Sequence, residues 1–444
     1  MASQSHTLEQ LRSGQLAGAR ALKLSAGLTE FPREILDLAD SLEVLDLSGN
    51  KLTDLPDEFG QLRKLRILFC SDNPFTRLPP AVGLCPELSM VGFKANRITS
   101  VPAEALPAKL RWLILTDNAV ESLPDELGCR PSLQKLMLAG NRLTSLPESM
   151  ASCGQLELVR LAANGLPSLP AWLLSLPRLS WLAYSGNPFA HRWEMQAQHG
   201  LEGIRDIAWS SLDVGELLGQ GASGYIHRAV WRNGGHRVDV AVKLFKGDVT
   251  SDGLPACEMA AALAAGDHAN LTQVLGRVVG HPDGTLGVVM TLIAPGYCNL
   301  AGPPSFESCT RDVYAADARF AFESVLHMAR GVASALAHLH DRGIMHGDLY
   351  AHNLLANPHG QVLLGDFGAA SFHGADRSDL ALALQRLEVR AFACLLEEWL
   401  ARCDAGPSHL PGVEALQQLM RACMTEEVSS RPLFSEIRAQ LAQF

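Results

Sequence analysis

Seven asparagines, Asn50, Asn73, Asn96, Asn118, Asn141, Asn164 and Asn187, follow one another at intervals of 23, 23, 22, 23, 23 and 23 residues. A fixed period of this kind marks a chain built from stacked copies of one small unit. Each asparagine closes the same phrase. Leu42-x-x-Leu45-x-Leu47-x-x-Asn50-x-Leu52 returns as Leu133-x-x-Leu136-x-Leu138-x-x-Asn141-x-Leu143 and in five further variants, with a degenerate earlier copy beginning at Leu22. Alternating leucines send one face of a short strand into a core, and the asparagine side chain is suited to bonding backbone groups where the chain turns. Prolines at Pro56, Pro79, Pro102, Pro124, Pro147 and Pro170 end the regular hydrogen bonding and turn the chain back. One copy cannot bury its own apolar face, so the copies must stack into a continuous leucine core.

This phrase resembles the leucine-rich repeat over residues 19 to 190. The resemblance implies an α/β leucine-rich-repeat solenoid with a parallel sheet on its concave side. Residues alternating with the core leucines then point outward: Ile67, Phe69, Met90, Trp112, Ile114, Met137, Leu158 and Trp181. Large apolar side chains on one solvent face form a candidate ridge for a protein or peptide partner. The competing reading is that they rest against neighbouring side chains or the second half of the chain.

The 444 residues exceed one ordinary core, and 47% hydrophobic with 19% charged residues describes packed globular domains. A formal charge of -10 argues against nucleic acid or an anionic membrane as a general partner. The ten cysteines, among them Cys70, Cys129, Cys257, Cys309 and Cys423, show neither C-x-x-C pairs nor zinc-ligand spacing. No basic head precedes an apolar run near the start, and no uninterrupted apolar stretch reaches the ~18 residues of a membrane span. A cytoplasmic protein without a transmembrane segment is expected; its oligomeric state is not encoded in any motif.

Beyond Asn187 the repeat stops, and residues 191–210 read as a linker of mixed helical character. Then comes Leu218-Gly219-Gln220-Gly221-Ala222-Ser223-Gly224-Tyr225-Ile226. A dinucleotide site would open a helix at these glycines, whereas here strand-like residues follow and Val240-Ala241-Val242-Lys243 appears shortly after. Glu258 lies fifteen residues beyond Lys243 in a helix-forming run. Further on come His346-Gly347-Asp348-Leu349-Tyr350-Ala351-His352-Asn353 and Gly365-Asp366-Phe367-Gly368. In this order the motifs resemble those of protein kinases. Arg431-Pro432-x-Phe434-x-x-Ile437 resembles the family's last helix, and the run from Glu388 through Phe392 its central buried helix. The resemblance spans residues 211 to 444 and implies an α+β bilobal protein-kinase-like domain using ATP and Mg2+.

The resemblance also assigns roles. Gly219, Gly221 and Gly224 would close backbone amides over the phosphates, and Lys243, fixed by Glu258, would hold two of them. Asp348 would receive or orient the acceptor hydroxyl's proton. Asn353 and Asp366 would hold magnesium. Ile226, Ala241 and Leu355 would flank the adenine beside a hinge at Met290 to Ile293. The implied activity is transfer of the ATP γ-phosphate to a protein hydroxyl, serine or threonine in preference to tyrosine, with the repeats selecting partners or regulating the kinase half.

Several positions depart from the pattern. Gly347 stands where an arginine usually precedes the aspartate, so a phosphate on the following segment would lack its cationic receptor. Only 22 residues separate Asp366 from Glu388, with no Ala-Pro-Glu and only Ser371 and Ser378 as hydroxyls. Arg431 therefore needs another carboxylate or water as partner. Tyr350 replaces a lysine near the transferring phosphate, a donor that His352 could partly supply, and Glu388 replaces an aspartate able to cap the catalytic loop. His-Gly-Asp-Leu followed by Asn353 also resembles small-molecule phosphotransferases of the aminoglycoside and choline kinase type. A nucleotide-sensing scaffold with an inert kinase half is the third reading.

Overall fold

The computed structural model describes residues 5–201, 203–221, 223–247 and 249–444, so Ala222 of the glycine motif lies outside the described residues. The chain divides into two compact units, Met1–Leu176 and Pro177–Phe444.

The first unit opens with α1 (Leu8–Arg12), whose N-terminus is capped by the Thr7 hydroxyl accepting the Gln10 N–H. Seven three-residue strands follow: β1 (Ala21–Lys23), β2 (Val44–Asp46), β3 (Ile67–Phe69), β4 (Met90–Gly92), β5 (Trp112–Ile114), β6 (Lys135–Met137) and β7 (Leu158–Arg160). All pair parallel, each with the next, and the register is constant: Leu22 faces Leu45, Leu45 faces Leu68, Leu113 faces Leu136 and Leu136 faces Val159. The period of two in each strand thus becomes a column of fully buried aliphatics. The returns are short 3-10 turns entered after the prolines, with α2 (Ala171–Leu174) closing the unit.

The asparagine ladder is a hydrogen-bond ladder between consecutive repeats. Asn141 Oδ1 accepts the Val120 N–H, while its Nδ2 donates to the carbonyls of Leu115 and Leu138. Asn73 and Asn164 repeat the arrangement elsewhere in the stack. One side chain therefore satisfies an amide and two carbonyls that a tight, buried turn would leave unpaired.

The apolar ridge expected on the strand face is less open than the alternation rule implies. Ile67, Phe69, Trp112, Ile114 and Met137 are half-buried, whereas Met90 and Leu158 are buried. Side chains aligned by the common register cover one another: the Phe69 ring fills the space beside Gly92, and the Lys135 ammonium sits 4.2 Å over the Trp112 ring. Trp181 departs furthest. It belongs to the second unit and is 1% exposed, its ring stacked on that of Tyr350.

The second unit begins with β8 (Trp181–Ala183), α3 (His191–Gly200) and β9 (Asp206–Ala208), so the stretch read as a linker contains a helix and a strand. Next come β10 (Leu212–Gln220), β11 (Gly224–Asn233), β12 (His236–Phe245), α4 (Pro255–Ala265), β13 (Val274–Val279) and β14 (Gly287–Thr291). They form a six-stranded sheet in the order β10-β11-β12-β14-β13-β9, antiparallel except where β9 joins β13 in parallel. On β12, Val240 and Val242 point into a core with Trp231 and Val289, which sends Ala241 and Lys243 to the opposite face.

The remaining part is mainly helical. It runs through β15 (Cys298–Asn299), β16 (Phe320–Ala321), α5 (Phe322–Asp341), β17 (Ile344–Met345), β18 (Leu354–Ala356), β19 (Val362–Leu364), β20 (Ser371–Phe372), α6 (Asp379–Leu400), β21 (Cys403–Asp404), α7 (Leu410–Cys423) and α8 (Phe434–Leu441). Buried residues recur on α5 at Val325, Met328, Val332, Leu336 and Leu339, the spacing of a helix stripe. The short pairs β17 with β20 and β18 with β19 hold the loops that follow them. Among the described residues no helix is long and apolar enough to cross a membrane.

Replacing Asn141 by alanine leaves the Val120 amide and two carbonyls without partners inside the stack. The Asn141→Ala protein should lose about 3 kcal/mol of stability, read from the denaturant midpoint of the transition that unfolds the repeats; an unchanged midpoint would show that the ladder is ornamental.

Candidate active site

Strand pairing assembles the upper wall of a cleft. Ile226 lies opposite Lys243 across β11 and β12, and Ala241 lies opposite Met290 across β12 and β14. Gly224 must be glycine because a Cβ there would stand 2.3 Å from the Leu244 carbonyl, while beside Gly219 and Gly221 the space is open. The cleft has a volume of about 520 Å3 and is lined by Gly219, Gly221, Gly224, Ile226, Ala241, Lys243, Glu258, Met290, Leu355, Asn353 and Asp366. Residues far apart in the chain are thus brought together. A larger groove of about 1010 Å3, bordered by His327, Arg330 and Arg438, contains none of them.

Lys243 Nζ donates to Glu258 Oε1, and Asp366 Oδ1 stands 3.8 Å from the same nitrogen. Burial works against the ammonium, but Asp366 and Glu258 outweigh it and hold the lysine pKa above its usual value. The Glu258 carboxylate is 3% exposed and also lies within 3.5 Å of the Ser223 hydroxyl. Asp366 has φ +57, a left-handed conformation that aspartate tolerates better than most residues, and its Oδ1 accepts the Gly368 amide.

Asp348 is not among the residues that line the cleft, but it is bonded to Asn353, which is. Asn353 Nδ2 donates to both its Oδ2, at 2.8 Å, and its main-chain carbonyl, at 2.9 Å. This fixes the aspartate's rotamer and leaves the Asn353 amide oxygen for another ligand. His346 Nε2 lies 2.9 Å from the Gly365 carbonyl, tying this loop to the Asp366 turn. Glu388 does cap the loop: its oxygens accept the His346 and Gly347 amides and a bond from His340 Nε2 at 2.7 Å. Burial alone would raise this carboxyl, but the hydrogen bond and charge of His340 and the loop contacts hold it below the usual range.

His352 is oriented from outside the motif. Asp312, forty residues upstream, takes both the His352 amide and a bond from Nδ1 at 2.8 Å. Burial disfavours the imidazolium, yet the Asp312 bond and charge, with Asp348 and Asp366 nearby, raise its pKa. No spacing rule points to Asp312. Arg431 solves its loss of a carboxylate differently from expectation: it is 1% exposed and donates to three main-chain carbonyls, Thr425, Arg386 and Pro177. The planar fork matches the three oxygens, so no carboxylate is needed. Burial and the nearby Arg390 charge lower its pKa to about 10.

The family described as protein tyrosine and serine/threonine kinase matches residues 212–393, and a two-copy leucine-rich-repeat family matches residues 40–82. The chain carries leucine-rich repeats followed by a protein kinase domain. The kinase domain is similar to CBL-interacting protein kinase 22 of Oryza sativa subsp. japonica, 33% identical over 181 residues, covering 37% of each chain. It is also similar to the tyrosine-protein kinase ABL2 of Mus musculus, 25% identical over 293 residues, 57% of this chain and 22% of the relative. The repeats are similar to the Mus musculus leucine-rich repeat and calponin homology domain-containing protein 1, 34% identical over 118 residues, 26% of this chain and 16% of the relative. The chain therefore spans well under half the length of these relatives.

One buried group near the site gives a pH signature. His373 on the segment after Asp366 is fully buried, and its Nδ1 lies 2.7 Å from the Gly374 carbonyl, which can only accept. Burial, reinforced by the His340 charge, lowers its pKa from 6.5 to about 4. The unfolded chain then binds this proton more tightly, so the contribution is complete above pH 6.5 and is lost as pH falls toward 4. Between pH 7 and pH 5 the wild type should lose about 2 kcal/mol more than His373→Gln in urea unfolding; parallel pH profiles would refute the assignment.

Proposed function

We propose that the kinase domain transfers the γ-phosphate of ATP to a protein hydroxyl, with serine or threonine as the preferred acceptor. The convergence of Lys243, Glu258 and Asp366 in one cleft with Asn353, whose amide holds the Asp348 carboxylate, carries the reading.

The site's chemistry suits the nucleotide and its ion. The open space beside Gly219 and Gly221 leaves room for phosphates, and the apolar Ile226, Ala241, Met290 and Leu355 supply surfaces for a flat base. Asp366 and Asn353 offer two hard oxygen donors, and no group of three or more His, Cys, Asp or Glu among the described residues forms a dedicated cage. That sparse set fits magnesium, which keeps phosphate and water oxygens in its shell. When bound, the ion neutralises charge developing on the transferring phosphoryl group.

The chain's own groups then divide the work. Lys243 holds phosphate oxygens with a charge that Glu258 keeps in place. Asp348 takes the proton of the acceptor hydroxyl as that hydroxyl's oxygen bonds the terminal phosphorus and the bond from phosphorus to the bridging oxygen breaks, ADP leaving, while Asn353 keeps the carboxylate aimed. Glu388 holds the loop's main chain while this happens. The repeats serve as the protein-binding part, and the half-buried row Ile67, Phe69, Trp112, Ile114 and Met137 is the face we assign to a partner.

Labelled ATP incubated with the protein, a generic protein acceptor, and a panel of aminoglycosides and amino alcohols tests the reading. Label should enter protein, and Asp348→Asn should cut transfer by about a thousandfold with nucleotide binding retained. Label in a small molecule would move the protein to another class of phosphotransferase, and label in neither would leave a nucleotide-binding scaffold.

A further inference from the structure

The strand of the last repeat, β8, lies against the loop that carries Asp348. Trp181 Nε1 donates to the Leu349 carbonyl at 2.9 Å, one residue beyond the aspartate. Its ring stacks on Tyr350 with centroids 4.3 Å apart and planes 7° from parallel. Both rings are buried, and the Arg311 guanidinium lies 5.5 Å from the Trp181 ring centre. Such offset or parallel aromatic contacts add to area burial and fix orientation.

The same strand explains the residue before Asp348. Gly347 has φ +74, and a Cβ there would stand 2.7 Å from the Leu182 carbonyl and 2.6 Å from that of Ala369. No arginine fits. The backbone of the last repeat occupies the place toward which a side chain at 347 would grow, so the loop has exchanged a cation for a direct main-chain contact.

The segment after Asp366 is held from the same side. The Tyr184 amide donates to the Ser371 hydroxyl at 3.0 Å, and the Tyr184 hydroxyl reaches the Phe372 carbonyl at 3.3 Å. Ser371 is fully buried. The other hydroxyl of this segment, Ser378, caps α6 by accepting the Ala381 amide. Both hydroxyls are thus engaged in structure. Further along, Trp193 of α3 closes on Gly374, where a Cβ would meet its indole nitrogen at 2.6 Å, and α3 packs on α4, the helix that carries Glu258. Arg390 of α6 anchors the approach by donating to the Arg178 carbonyl and the Ser180 hydroxyl.

We propose that Trp181 and Tyr184 of the last repeat are positioning residues for phosphoryl transfer, holding the Asp348 loop and residues 366–373 in working geometry in place of a phosphate on that segment. The inference rests on the transfer reading above. Elsewhere a phosphate orders such a segment by pairing with cations. Here indole, phenol and strand main chain make the equivalent contacts permanently, because they belong to the same compact unit.

The test uses the full chain with Trp181→Ala and Trp181→Phe, steady-state transfer from ATP to a generic protein acceptor, and amide hydrogen exchange. Trp181→Ala should lower kcat about a hundredfold, the cost of a misplaced catalytic group, while KM for ATP stays within about twofold. Exchange should quicken in residues 346–353 and 366–373 and stay unchanged in residues 274–293. Trp181→Phe, which keeps the stack, should recover most of kcat. Pretreatment of the wild type with a broad-specificity phosphatase should leave kcat unchanged. Wild-type kcat and exchange in Trp181→Ala would overturn the proposal, as would a joint loss of kcat, nucleotide affinity and protection throughout the domain, or inactivation by the phosphatase. Absence of transfer by the wild type would defeat the reading of function instead, and the exchange comparison would still decide whether the strand holds the loop.

Discussion

A lysine ammonium held out of water is the constraint around which the second unit is organised. Lys243 is mostly buried, and removing such a charge from solvent costs several kcal/mol unless carboxylates take over the role of water. Glu258 does so from α4 and Asp366 from the loop after β19, so the ion pair can exist only when the sheet, the helix and the loop are all in place. The chemistry and the fold of the domain are one requirement. Breaking such a pair by removing a partner leaves an uncompensated charge, and the Ser223 hydroxyl gives the Glu258 carboxylate a further contact.

The loop bearing Asp348 shows the same logic with different groups. Its main chain is capped by Glu388, its carboxylate by Asn353, and its outer side by an indole from a distant repeat. Each contact satisfies a polar group that burial would otherwise leave unpaired. A loop so densely bonded has little freedom to reorganise when a nucleotide arrives, which is the preorganisation that electrostatic catalysis rewards.

Much of this is legible in the residues. The asparagine period marks the strand positions, because a side chain bonding three backbone groups tolerates few substitutes. The spacing of Lys243, Glu258, Asn353 and Asp366 identifies residues that the cleft brings together, and Asp348 is bonded to one of them. What escapes the sequence is long-range. Asp312 reaches His352 from a segment with no motif, and three carbonyls replace a carboxylate at Arg431, since backbone oxygens leave no trace in a sequence. Trp181 defeats the alternation rule for a related reason. Alternation gives the face of a strand on which a residue lies, but not what covers that face, and here the cover is Tyr350, more than 160 residues away.

Gly347 carries a lesson about modularity. A position that lacks a side chain so that a carbonyl from Leu182 can approach is a joint cut to fit one particular neighbour. Exchange of the kinase domain among unrelated architectures by recombination at residue 211 would leave that joint empty, with β13 also stripped of its parallel companion β9. The heritable module is therefore larger than residues 212–393, which match the kinase family, and drift at Trp181 to Tyr184 is answerable to the loop that carries Asp348.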